Sequence, residues 1–297
     1  MRRRVLVTGG VGFVGSHVVR ACLSEGWQVA VPYQPENGLA QIQDILDQIQ
    51  VYPVLDKPNE VFEIFKDFHP ELVFHLASVF IAKHEPEDVF TLVNANIAFG
   101  AQIFEAMSKT GVRFMVNTGT SWQHYRDEDY NPVNLYAATK QAFEDILAYY
   151  VQTGRVEAIT LKLFDTYGPA DPHKKLFHLL AHAADQGTRL EMSPGEQMID
   201  LVYIDDVVKA FLMAAKRLLD KQIIGHECYA VSSVKPVSLR DLAEIYQRVT
   251  GKALNIIWGG RPYRDREVML PWSRGKCLPG WSPEIDLIKG ISMVVNK

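Results

Sequence analysis

The chain has 297 residues, 47% apolar and 22% charged, with 35 acidic against 31 basic side chains and a formal charge of −4. Apolar side chain is ample to offset ordering entropy, which excludes a disordered chain, and a slightly acidic chain without a basic run makes a poor nucleic-acid binder. No apolar stretch approaches the ~18 residues that a membrane span needs. Cys22, Cys228 and Cys277 are isolated and odd in number, with no CxxC and no His cluster at ligand spacing. Neither a disulfide framework nor a metal site is therefore expected, and a reducing cytoplasm suits the chain.

Arg2-Arg3-Arg4 before Val5-Leu6-Val7 imitates the start of a signal peptide, but the run then meets Thr8-Gly9-Gly10-Val11-Gly12. That is too short and too glycine-rich for a signal core, so the run reads as a buried first strand, 4–7. Further strand-like runs follow at 28–31, 51–55, 72–76 and 113–117. Helix-like stretches lie between them near 13–25, 39–50, 59–68 and 88–109, and another follows at 134–152. This alternation implies βαβ units in an α/β fold, a doubly wound parallel sheet with helices on both faces. The second half is less regular. It offers a strand at 158–163, a loop at 168–173, a helix near 176–186, a short strand at 201–204, a helix from Asp205 to about 219 and a strand at 228–231. Ser238 and Asp241 start a helix at 239–250, and 259–283 reads as loop. These elements divide the chain into a dinucleotide-binding domain, 1–165 with 201–234, and a smaller substrate-binding lobe, 166–200 with 235–297.

Thr8-Gly9-Gly10-Val11-Gly12-Phe13-Val14-Gly15 follows the first strand and opens the first helix. That context separates a dinucleotide loop from an ordinary glycine-rich turn. Gly9 permits the turn, Gly12 lets the backbone approach a pyrophosphate, and Gly15 lets the helix pack on the sheet. The N–H groups at Phe13 and Val14 then face the phosphates. NAD sites usually carry a carboxylate at the end of the second strand. Here Val29-Ala30-Val31 runs into Pro32-Tyr33-Gln34, and Glu36 comes too late. Losing the carboxylate removes repulsion against a 2′-phosphate, which favours NADP(H) over NAD(H), although no arginine sits there to bind it. Asp56, past the third strand, is either an adenine contact or a solvated strand end.

Tyr136 and Lys140 are four residues apart, on one face of the helix at 134–152. An ammonium nearby lowers the pKa of a phenol and lets it exchange a proton with a sugar or alcohol oxygen. Sixteen residues upstream, the fifth strand ends in Asn117-Thr118-Gly119-Thr120-Ser121. Hydroxyls there face the crevice where doubly wound sheets bind ligands.

Together these motifs resemble the extended short-chain dehydrogenase/reductase family of sugar-nucleotide epimerases, dehydratases and ketoreductases, with a Rossmann sheet and a small C-terminal lobe. Similar elements run along nearly the whole chain: His75-Leu76-Ala77-Ser78, Asn96, Lys162 to Pro169, Asp200 to Val207, and Leu278-Pro279-Gly280-Trp281-Ser282-Pro283. The resemblance implies that Tyr136 is the acid/base, Lys140 its partner and holder of the nicotinamide ribose, and Thr120 the hydroxyl that binds the reacting oxygen, with Ser121 the alternative. It also implies that Ala77 approaches the cofactor through its backbone. Asn96 is either a site residue or a buried amide bracing the loop.

Family dehydratases follow this threonine with an Asp-Glu pair, whereas here Ser121 and Trp122 follow, which disfavours dehydration. A 4-ketoreductase and a 4-epimerase remain. The tract 117–125 with 131–136 resembles the CDP-abequose and CDP-paratose synthase branch. That resemblance implies NADPH-dependent reduction of a CDP-linked 4-keto-6-deoxy or 3,6-dideoxy hexose, with an NAD-dependent 4-epimerase as the alternative. A regulatory protein without catalysis is a further alternative, and the retention of Tyr136 and Lys140 argues against it. For the nucleotide diphosphate the candidates are Arg261, Arg264, Lys175 and His173. Lys83 and His84 are candidates for the sugar. Asp165 stands where the family commonly has Asn, and Ile199 where it commonly has Arg, which implies that the nucleotide sits differently, or has a different base, from the usual UDP pattern. Family helices corresponding to 88–109 and 134–152 pair across a two-fold, so a homodimer is expected.

Overall fold

The continuous apolar runs of the first half pair side by side. The computed structural model describes residues 2–55, 57, 59–172 and 176–295. Its first half runs β1 (Arg4–Thr8), α1 (Phe13–Ser24), β2 (Gln28–Tyr33), β3 (Gln50–Pro53), α2 (Glu60–Phe68), β4 (Leu72–His75), α3 (Asp88–Val93), α4 (Phe99–Thr110), β5 (Phe114–Thr120) and α5 (Leu135–Gln152). There follow β6 (Glu157–Leu163), β7 (Asp165–Tyr167), α6 (Leu176–Gln186), β8 (Arg189–Met192), β9 (Met198–Ile199), β10 (Leu201–Tyr203) and α7 (Ile204–Leu219). The chain closes with β11 (His226–Val231), β12 (Val237–Ser238), α8 (Leu239–Thr250), β13 (Asn255–Trp258) and α9 (Leu287–Val295).

Seven strands form one sheet in the order β3-β2-β1-β4-β5-β6-β11, every pair parallel. The winding reverses between β1 and β4, where Thr8 lies opposite His75, so the crevice of a doubly wound sheet opens at the carboxyl ends of these two strands. Side chains alternate across β1. Val5 and Val7 join Val18, Val19 and Phe211 on the face covered by α1 and α7. Leu6 joins Phe65, Phe104, Met107 and Phe143 beneath α2, α4 and α5. Both faces are dry, and for that reason the strands read as unbroken apolar runs. A third apolar cluster gathers Leu180 of α6, Leu242 and Tyr246 of α8 and Ile291 of α9.

The C-terminal segment is pinned to this frame by one buried carboxylate. Asp206, on the first turn of α7, accepts the N–H groups of Glu284 (3.0 Å) and Ile285 (2.9 Å), while the Trp281 indole donates to the Asp206 carbonyl (2.9 Å).

Several elements differ from the sequence expectation. The stretch 39–50 is a 3₁₀ segment, Ala40–Gln48, rather than an α-helix. Its two buried residues, Ile42 and Ile45, are three apart, matching three residues per turn, and Arg20 binds the Gln41 carbonyl and clamps Asp44. The third strand is Gln50–Pro53, shorter than 51–55, and the fifth runs on to Thr120. The helix at 88–109 is α3 and α4 joined by a π-turn, Asn94–Ala98. As a continuous helix Asp88–Thr110 is long and apolar enough to cross a membrane by length and composition alone. This overturns the expectation that no stretch is. Ile103, Phe104 and Met107 on this helix are buried among core residues. The pairs β8–β13 and β9–β12, with α9, were not legible at all, because strands of two to four residues are too short to show alternation.

The loop from β1 to α1 depends on missing side chains. A Cβ on Gly15 would lie 2.0 Å from the Gly9 carbonyl oxygen, whereas one on Gly26 meets nothing within 4 Å. Backbone cannot move aside as a flexible side chain can. Gly15→Ala is therefore expected to cost about 3 kcal/mol or more, and Gly26→Ala, strained only by its positive φ, about 1 kcal/mol. Denaturant midpoints of the two variants measure the contrast.

Candidate functional site

The site begins where β1 ends. Gly9 has φ +69°, and a Cβ there would meet the Ala77 nitrogen at 2.6 Å and the Leu76 carbonyl carbon at 2.7 Å. Gly12 differs, since its Cβ would touch only the Gly9 oxygen, at 3.3 Å. Gly12 N–H donates to Gly9 O (3.0 Å) and closes the turn. No side chain caps α1, and no acidic residue lies in its first turn. The positive end of the helix is thus uncompensated, which suits an anion. These residues fit the diphosphate of a dinucleotide. The Phe13 side chain is buried in the core, so its backbone is the part available to a ligand; Val14 is half-buried. At the second strand's end stand Tyr33 and Gln34, followed by the 3₁₀ turn Pro35–Asn37 with exposed Glu36.

Across the crevice, the loop after β4 is held by two buried polar groups. Thr8 Oγ1 lies 2.9 Å from His75 Nδ1 and accepts the Ala77 N–H at 3.3 Å. Burial and the Lys140 charge push His75 down to about 3, so the imidazole is neutral. Asn96, on the π-turn, is 2% exposed. Its Oδ1 accepts from Ser78 Oγ (3.1 Å) and Val79 N (2.8 Å), and its Nδ2 donates to Val79 O and Thr139 Oγ1 (3.0 Å each). Asn96 is therefore the brace between this loop and α5. Asn134 adds a second tie. Its Oδ1 accepts the Ala137 N–H at the start of α5, and its Nδ2 donates to Ala82 O (3.0 Å).

Tyr136 and Lys140 lie on the first two turns of α5, Tyr136 half-buried and Lys140 2% exposed. Burial pushes the phenol up to about 12, partly offset by a hydrogen bond with the Ser78 hydroxyl. Burial pushes Lys140 down to about 8, partly offset by the Glu144 carboxylate one turn further on. The expected lowering of the phenol by Lys140 is not seen: burial of the phenol sets the direction of its shift. Thr120 ends β5 and caps a 3₁₀ turn. Its Oγ1 accepts the Trp122 N–H (3.3 Å), and its own N–H donates to Gln123 Oε1 (3.0 Å). The Thr120 O–H is left to donate. The Phe80 ring, 50% exposed, stands edge-on to Tyr136 at 5.0 Å and 5.6 Å from Trp122.

The other candidates are dispersed. Lys83, His84, Arg261 and Arg264 are exposed. Arg261 N–H donates to Met192 O, and Arg264 N–H to Glu267 Oε2. The arginine of this loop that reaches the approach to α5 is Arg266. It donates to Pro132 O (2.9 Å) and Asn131 Oδ1 and lies 4.3 Å above the Tyr125 ring. Asp165 is exposed on β7, beside Leu201 of β10. Asp56, His173 and Lys175 lie outside the described residues. The sequence reading gave no role to Ser78, Phe80, Gln123, Glu144 or Arg266. Two of these had a signal. Thr120-x-x-Gln123 is a capping-box spacing, and Glu144 continues the four-residue spacing of Tyr136 and Lys140.

A model of the NAD dependent epimerase/dehydratase family matches residues 5–224. CDP-abequose synthase of Salmonella muenchen is 23% identical over 299 residues, covering 100% of this chain and 98% of that protein. UDP-glucuronate 4-epimerase of Thermodesulfobacterium geofontis is 27% identical over 320 residues, covering 98% and 94%. The crystal structure of Thermus thermophilus UDP-glucose 4-epimerase in complex with NAD superposes with a TM-score of 0.80 at 26% identity, covering 99% of this chain and 98% of that one.

Replacing Asn96 by Ala strands donors and acceptors on both sides of the loop, and Asn96→Ala is expected to lower stability by about 3 kcal/mol. Urea unfolding measures the loss.

Proposed function

This chain belongs to the NAD dependent epimerase/dehydratase family, and we propose that within it the chain is an NADPH-dependent reductase of a nucleotide-linked 4-keto-6-deoxy or 3,6-dideoxy hexose, with CDP as the nucleotide. The observation that carries this reading is a neutral phenol beside a turn that offers hydroxyls and no carboxylate. At neutral pH Tyr136 holds its proton, as a donor to a ketone must. The turn Thr120-Ser121-Trp122-Gln123 lacks the acid and base that elimination of water would need. Phe80, backed by Trp122, places exposed apolar surface next to Tyr136, which favours a sugar with CH₂ or CH₃ in place of hydroxyls.

When bound, the nicotinamide cofactor supplies the hydride that reduces carbon 4. The chain's own residues do the rest. The N–H groups at the start of α1, with Gly9, Gly12, Gly15 and the Ala77 backbone, hold the dinucleotide. Lys140 binds the nicotinamide ribose. Thr120 O–H orients the carbonyl oxygen, and Tyr136 delivers the proton that makes it a hydroxyl. Lys83, Arg261 and Arg264 are assigned to the sugar nucleotide. The absent second-strand carboxylate supports NADP(H), because nothing there repels a 2′-phosphate. A 4-epimerase is the second reading, favoured by the 27% identity to UDP-glucuronate 4-epimerase along nearly the whole chain.

We also propose a cytoplasmic homodimer. Val89, Phe90 and Val93 of α3 are exposed, Phe90 by 78%, and an apolar face on this helix suits a two-fold bundle.

With a CDP-4-keto-6-deoxy hexose, NADPH absorbance is expected to fall. Tyr136→Phe should reduce turnover about 100-fold or more while leaving NADPH affinity unchanged, and NADPH should bind more tightly than NADH. Interconversion of epimers without net cofactor consumption would select the second reading. Light scattering should give the mass of two chains, and Phe90→Glu should halve it.

A further inference from the structure

Beneath the site lies a buried polar chain that the proposed reaction does not use. Glu144 is 9% exposed, and its Oε1 accepts from Gln123 Nε2 at 3.0 Å. The same Gln123 side chain accepts the Thr120 N–H and donates to Gln141 Oε1 (2.8 Å), one residue past Lys140. The other carboxylate oxygen, Oε2, lies 3.6 Å from Lys162 Nζ, a side chain 5% exposed. Lys162 donates in turn to His124 Nε2 at 2.7 Å. His124 must accept there as a neutral ring, which leaves its Nδ1–H to donate to Glu128 O at 3.0 Å. Trp272 stacks on His124 at a centroid distance of 3.9 Å and closes the chain from solvent.

We infer that Glu144 is a positioning residue, which holds the Thr120 turn in register with the Tyr136–Lys140 helix and sets a carboxylate one turn from the Lys140 ammonium. Two separable links run through one carboxylate. The mechanical link is the hydrogen bond to Gln123, since Gln123 in turn fixes the backbone that carries the Thr120 hydroxyl. The electrostatic link is to Lys140, one turn back on α5, whose ammonium the Glu144 charge stabilises against burial. The ionisable groups around this carboxylate are Lys140 on its own helix, Lys162 from β6, and His226 and Cys228 from β11; His75 from β4 faces Lys140, and His124 faces Lys162. Burial holds His75, His124 and His226 below their ordinary values. Among these described groups Glu144 is the one carboxylate available to offset the lysines. A charge buried this deeply acts through low dielectric, so its removal is felt by its neighbours.

The inference rests on the reading of Thr120, Tyr136 and Lys140 given above, and two substitutions separate its links. Glu144→Gln keeps the hydrogen bond to Gln123 and deletes the charge. Glu144→Asp keeps the charge and is too short to reach Gln123. In the ligand-free protein, NMR of ¹³Cε-labelled lysine, assigned through Lys140→Arg, reports the titration of Lys140. The Glu144→Gln variant is expected to move that titration down by about one pH unit, whereas Glu144→Asp leaves it in place. The Thr120 amide resonance should move in the Asp variant and stay in the Gln variant. With keto sugar and NADPH, Glu144→Asp should lower kcat about tenfold at every pH, and Glu144→Gln should lose activity chiefly on the alkaline side. Should Glu144→Gln not fold, the double variant Glu144→Gln, Lys162→Met removes both members of the buried pair and carries the same expectation for Lys140. An unmoved Lys140 titration, or identical losses in both variants, overturns the inference. A moved titration in a protein that reduces no keto sugar would leave the inference standing and overturn the assigned reaction.

Discussion

Everything at this site depends on backbone meeting backbone at the end of β1. Gly9 sits against the peptide of Leu76 and Ala77, and Gly15 against Gly9 itself, so closely that a single methyl group would overlap main-chain atoms in either place. That contact brings the first turn of α1 and the loop after β4 to opposite lips of one crevice. The Thr8 hydroxyl then bridges the lips by binding both His75 and the Ala77 N–H. Polar groups buried here cannot be left unpaired without large cost, so the geometry is held in one arrangement.

The second lip is built outward from that contact. Asn96 needs a π-turn to face the loop, because an unbroken α-helix through 94–98 would rotate its amide away. Through this amide the loop gains three hydrogen bonds, and a fourth, to Thr139, fixes its relation to α5. Asn134 then ties the start of α5 to the same loop. Tyr136 is therefore presented by a helix anchored at its first residue, and the Ser78 hydroxyl meets its phenol. The half-exposed Phe80 ring belongs to this loop too, so the same brace that orients Tyr136 also holds the apolar wall beside it.

Much of this frame was legible beforehand. The first-half strands and helices fell within a few residues of their places because each buries one or two whole faces, and a buried face leaves a periodic trace. The glycine loop was legible because its three glycines each answer a steric need. Where the trace is weak the reading failed. The segment 39–50 has apolar residues at helical spacing but folds as a 3₁₀ segment. In the loop that carries the diphosphate candidates Arg261 and Arg264, no sequence signal showed that Arg266 folds back toward the approach to α5. Among residues two to five positions apart, nothing in the order of the chain reports which side chain a loop turns inward.

The amino-acid sequence by itself determined the parallel sheet, the crevice at the carboxyl ends of β1 and β4, the glycine turn and the pairing of Tyr136 with Lys140 on one helical face, because each is a short-range consequence of periodicity and backbone sterics. Only the tertiary structure decided what surrounds those groups. It decided that Tyr136 keeps its proton, because burial raises the phenol. It decided that Asn96 is a brace, and that Glu144, Lys162 and His124, drawn from a helix, a strand and a turn, form one buried chain under Thr120. Desolvation and hydrogen bonding between residues tens of positions apart are set by packing, and packing is not written in local sequence.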